Sequence, residues 1–184
     1  MRGHGKSEKV MHSHRISRYA MDLKNLLDYL DLVDVTVLGW SMGVAVLWSY
    51  IELFGNHRIS GLVCVDQSPA QYTGPDWQWG QKGCYDMEMF IHTCCQIQYD
   101  PRGAAEGLAF ACLFNPPSEE EVKFIADEIS LCPPYARIEI MRDHTNLDWR
   151  DFLPHINLDT LVCVARHSAV FDWQGSTYVG ENIP

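Results

Sequence analysis

The sequence predicts an α/β protein, a parallel sheet interrupted by a block of helices. Three observations lead there. Residues 1–69 alternate helix and strand, residues 70–150 show helical stretches without a convincing strand, and residues 151–184 return to strand and helix. A strand–helix–strand run of this length closes as a right-handed βαβ unit with parallel strands. The chain therefore divides into a first core part (1–69), a helical insertion (70–150) and a second core part (151–184).

Each element has its own local signal. Ile16, Tyr19, Ala20, Leu23, Leu26, Leu27 and Leu30 recur at helical spacing, with Ser17 as the expected N-cap. Val33 to Leu38 is a β-branched run expected to form a buried strand. Gly39 to Gly43 breaks it, and Val44 to Phe54 restores a helical pattern that Gly55 should cap. Ile59 to Val65 is the next strand, closed by Asp66-Gln67-Ser68-Pro69. In the insertion, helices are expected near Tyr85–Tyr99, Arg102–Phe114, Ser118–Leu131 and Tyr135–Arg142, punctuated by Pro116-Pro117 and Pro133-Pro134. Ser118 and Glu121 stand at capping-box spacing. Leu158 to Ala165 reads as a third strand, and a short helix follows from Gln174 to about Asn182.

Composition narrows the function classes. Twenty-four Asp and Glu against fourteen Lys and Arg give a net charge of −10, a field that repels phosphate and disfavours nucleic acid as a partner. With 47% hydrophobic and 21% charged residues the chain can support a packed core and is not disordered. The longest uncharged run, Val35 to Ile51, carries Gly39, Ser41, Gly43 and Ser49 and reads as strand, turn and helix rather than a membrane span. No secretory leader is recognisable at the start. The seven cysteines at 64, 84, 94, 95, 112, 132 and 163 form no C-x-x-C pair. They read as reduced, buried apolar residues in a cytoplasmic protein, with no metal site and no cofactor implied.

The chemistry centres on Gly39-Trp40-Ser41-Met42-Gly43, a G-x-S-x-G between an expected strand and an expected helix. A serine on such a turn needs neighbours without bulk two positions away, which the glycines supply. The helix start offers free N–H groups to a developing oxyanion.

With these residues in view, the sequence resembles the α/β-hydrolases. Arg2-Gly3-His4-Gly5-Lys6-Ser7 is similar to the loop after that family's fourth strand. Ala20-Met21-Asp22-Leu23, the Ser41 elbow, Val65-Asp66-Gln67-Ser68-Pro69 and Asp151-Phe152-Leu153-Pro154 follow in the family's order. The nearest branch holds small esterases, lactonases, cofactor-free haloperoxidases and prolyl-aminopeptidase-like enzymes. The resemblance implies a three-layer α/β/α-hydrolase sandwich with parallel core strands in a partial sheet and an inserted helical cap. It makes Ser41 the nucleophile, the Met42 N–H an oxyanion donor, Trp40 (with Trp77 and Trp79) a candidate lining of the substrate pocket, and a small ester, lactone or amide the substrate.

The resemblance also implies pieces that these residues do not supply. The expected chain is the middle of an enzyme, short at both ends, retaining only the family's fifth, sixth and seventh strands and exposing both sheet edges. No histidine occupies the catalytic position. His4, His12, His14, His57, His92, His144 and His155 belong to loops, turns or the cap, and His167 is the one geometric candidate. The usual place of the acid aligns with Ser168, which leaves Asp66 and Asp172 as alternatives. A non-catalytic binding protein of the same fold and a haloperoxidase-type enzyme are the competing readings. A dinucleotide-binding protein is excluded, since no G-x-G-x-x-G follows a strand.

Overall fold

The computed structural model describes residues 1–82 and 86–184. Among them three parallel strands lie in the order β1 (Val35–Trp40), β2 (Ile59–Val65), β3 (Asp159–Cys163). Helices α1 (Ile16–Tyr29) and α2 (Met42–Phe54) flank β1. Helices α3 (Met87–Tyr99), α4 (Pro101–Cys112), α5 (Glu119–Ser130) and α6 (Pro134–Thr145) separate β2 from β3, and α7 (Trp173–Asn182) follows β3.

Parallel register sorts the sheet into two faces. Val37, Leu62 and Thr160 stand in one row, and Gly39, Cys64 and Val162 in the next. This face meets α2 at Gly39 and α7 at Val162. The main core builds upon it from Val44, Leu47, Trp48 and Ile51 of α2, with Trp149, Leu153, Ile156 and Val179. Trp48 and Trp149 pack with ring centroids 6.0 Å apart. The opposite face carries Leu38, Val63 and Leu161 in one row and Trp40, Val65 and Cys163 in the next. Leu38, Trp40 and Leu161 are each more than half exposed.

Several expectations are corrected. Ser17 is not the N-cap of α1: the helix starts at Ile16, and Asp143 of α6 caps it by accepting the Ile16 N–H at 2.7 Å. The first strand runs through Gly39 to Trp40 instead of ending at Leu38, because pairing with Cys64 and Val65 continues it. That strand is also not buried throughout, since it forms a sheet edge and its Leu38 face is open. Gly55 does end α2, at φ 62.

Local capping explains the helices after β2. Asp86 accepts the Met89 N–H at 2.9 Å and caps α3, which starts at Met87; Tyr85, the expected start, lies outside the described residues. Asp100 caps α4 through Gly103, ahead of Pro101 at the first helical position. Ser118 and Glu121 close a reciprocal capping box on α5. No helix among the described residues is long and apolar enough to cross a membrane.

Candidate active site

Strand β1 delivers Ser41 to its C-terminal end, and α2 starts at the next residue. Ser41 has φ 51 and ψ −127, a conformation that costs a non-glycine residue of order 1–3 kcal/mol. Its N–H donates to the Val65 carbonyl at 2.9 Å, which ties the turn to the end of β2, and its own carbonyl accepts the Val44 N–H at 2.7 Å. The Ser41 hydroxyl has no hydrogen-bond partner among the described residues. The two flanking glycines are not equivalent. A Cβ on Gly39 would lie 2.6 Å from the Gly43 carbonyl carbon and the Val44 nitrogen, whereas one on Gly43 would meet nothing within 4 Å. Gly39 alone supplies the clearance expected of both. Met42 opens α2, so its N–H has no intrahelical acceptor.

Asp66 occupies the matching place on the neighbouring strand, since Trp40 pairs with Val65 and each strand turns immediately afterwards. It too is left-handed, with φ 46, and is only 8% exposed. The Asp66 N–H donates to the Cys163 carbonyl at 3.0 Å. Its carboxylate accepts the Ser168 hydroxyl at 2.7 Å, and the Ser176 hydroxyl stands 3.4 Å from its other oxygen. Asp172, the alternative acid, precedes α7 and is ion-paired with Lys82 at 3.1 Å. The structure thus brings Ser41 and Asp66 to adjacent strand ends and engages Asp172 elsewhere.

Among the described residues, no histidine contact joins Ser41 or Asp66. His14 is spent on the Tyr19 hydroxyl and the Val10 carbonyl, both at 2.9 Å. His4 contacts the Arg2 carbonyl, and His57 the Asp28 carboxylate. His144 is buried, and burial pushes its imidazole down to about 4. His167 is exposed and packs on Phe114, with ring centroids 5.2 Å apart. Of the tryptophans, Trp77 is 4% exposed, packed on Trp79 and Tyr178 with the Arg150 guanidinium over its ring, so it is core rather than pocket lining. The Trp40 indole lies on the open sheet face.

Other groups are inert by comparison. Burial pushes the Cys64 thiol up to about 12 and raises those of Cys94, Cys112 and Cys132. Among the described residues, no cluster of three His, Cys, Asp or Glu side chains is placed to hold a metal ion. Sequence reasoning took Ser168 only as the place where an acid is wanting. Its hydroxyl sits on Asp66, a link across 102 positions that no local pattern signals.

Comparison with known proteins fits this geometry. A family model described as alpha/beta hydrolase fold matches residues 1–84. A non-heme chloroperoxidase, CPO-A1, of Kitasatospora aureofaciens is 38% identical over 68 residues, which is 37% of this chain and 25% of that protein. A non-heme haloperoxidase of Rhodococcus erythropolis is 34% identical over 68 residues, with the same shares of the two chains. The matched stretch thus spans a quarter of the length of each of these relatives. Among solved structures, the esterase EaEST from Exiguobacterium antarcticum superposes with a TM-score of 0.91 at 21% identity, covering 99% of this chain and 67% of that one. A bromoperoxidase from Bacillus anthracis gives 0.88 at 22% identity, covering 100% and 68%.

Proposed function

We propose that the chain, which has the α/β-hydrolase fold, carries the nucleophile and acid of a serine hydrolase acting on a small ester, lactone or amide. The observation that supports this most is the Ser41 elbow, a strained non-glycine turn with an unpartnered hydroxyl beside a buried carboxylate. Ser41 Oγ attacks the carbonyl carbon, and the Met42 N–H receives the charge that builds on the carbonyl oxygen. The bond to the leaving alcohol or amine breaks, and the serine proton passes through a base to that leaving group. Water then cleaves the acyl-enzyme and frees the serine. Asp66 is the carboxylate that orients the base, and Trp40, beside the nucleophile and 58% exposed, offers an apolar surface to the substrate. The base is an imidazole that none of the contacts made by the chain's histidines supplies. Reduced cysteine usage favours a cytoplasmic setting.

Free imidazole can stand in for that base. A fluorophosphonate probe, read by intact mass, is expected to label the chain slowly in buffer and about tenfold faster or more with imidazole, within the range of general-base effects. Ser41→Ala should abolish labelling. Labelling that persists in Ser41→Ala, or a folded chain unlabelled with imidazole present, overturns the proposal.

A haloperoxidase-type activity is the second reading, favoured by the identity to two haloperoxidases. It requires peroxide and halide as co-substrates, and peroxide-dependent halogenation of a reporter dye separates it from simple ester cleavage.

A further inference from the structure

We propose that Ser168 is the positioning residue of Asp66, fixing the orientation of the carboxylate that faces the base. The inference rests on the serine-hydrolase reading and adds the group that aims its acid. Ser168 Oγ accepts the N–H groups of Val170 at 3.1 Å and Phe171 at 3.2 Å. With its lone pairs so engaged, the hydroxyl proton points at the Asp66 carboxylate, 2.7 Å away.

The loop that carries Ser168 is held independently of Asp66. Lys82 donates its ammonium to the Ser168 carbonyl at 3.1 Å and its backbone N–H to the Val170 carbonyl at 2.7 Å. Phe171 is 1% exposed and anchors the loop in the core. Ser176, fully buried on α7, stands against the second carboxylate oxygen. A hydroxyl thus approaches each oxygen, so the group cannot rotate without losing one contact. Lone pairs on the carboxylate remain to accept the N–H of an imidazole. The loop position where the family resemblance looks for an acid holds a hydroxyl that steers the acid on the adjacent strand.

The test uses imidazole-assisted labelling of Ser41 in the full chain. Ser168→Ala is expected to raise the half-saturating imidazole concentration about tenfold, the scale of a hydrogen bond to a charged group, and Ser168→Thr should restore it. An unchanged imidazole dependence in Ser168→Ala, with normal circular dichroism, overturns the inference. If the unsubstituted chain is not labelled at all, the hydrolase reading has failed, and a thermal-melting cycle over Ser168→Ala, Asp66→Asn and the double variant still decides whether Ser168 holds Asp66. Non-additive melting shifts support the link between the two residues, and additive shifts overturn it.

Discussion

Both ends of the sheet hold non-glycine residues at positive φ, but what surrounds them differs. At the C-terminal end stand Ser41 and Asp66, at φ 51 and 46. At the N-terminal end stand Asp31, Asp34 and Arg58, at φ 49, 55 and 63. There the side chains of Asp31 and Arg58 find partners. Arg58 reaches Asp28 at 2.7 Å, Asp31 at 3.1 Å and the Leu32 carbonyl at 2.9 Å, and Lys24 and His57 complete the set around Asp28. At Ser41 the same kind of cost is met and the hydroxyl gains no partner. Strain offset by its own contacts is a turn, whereas strain that leaves a nucleophile unpartnered points to a site.

The largest expected effect tests how tightly the C-terminal end is built. Gly39→Ala should cost more than about 3 kcal/mol in urea denaturation, because the added methyl meets backbone that cannot yield. Gly43→Ala, with open space around it, should change stability by less than about 1 kcal/mol.

Next in size is relief of the strain itself. Ser41→Gly should stabilise the fold by about 1 kcal/mol while abolishing labelling, the signature of a residue kept for its chemistry. Arg58→Gly likewise removes a positive φ but gives up its ion pairs, so its gain in stability should fall short of that of Ser41→Gly. Equal gains at the two positions would break the comparison.

The smallest effect concerns charge. The Lys24, His57 and Arg58 side chains hold the Asp28 carboxyl below the usual carboxylate range. A lowered folded value means that the contribution is present above the unfolded value near about 4 and is lost as pH falls through the folded one. The melting difference between the natural chain and Asp28→Asn should therefore be small at neutral pH in low salt, shrink below about pH 4, and vanish in high salt.

How legible these features were in the sequence follows from their range. The strand Ile59–Val65 and the capping box of Ser118 and Glu121 were readable because their causes lie within a few residues. The start of α1 was not, because its cap is a carboxylate 127 positions away. Gly39 read as a strand breaker, but ladder pairing with Cys64 kept it in the strand. In the site, Ser41 and Asp66 were visible as residues at strand ends. The role of Ser168 was not, since a hydroxyl in a loop gives no sign of which carboxylate it will meet. Trp77 carried a reasonable apolar signal, but packing against Tyr178 of α7 sends it into the core.

The Asp143 cap on α1 has a mechanical consequence. Helix α6 holds the first turn of α1 through Asp143 and the Pro101 carbonyl through Arg137, and Glu139 takes the His14 N–H at 3.4 Å. A swing of α6 away from the sheet would fray α1 at its root and release the first residue of α4, so one helix of the segment between β2 and β3 clamps the starts of two others.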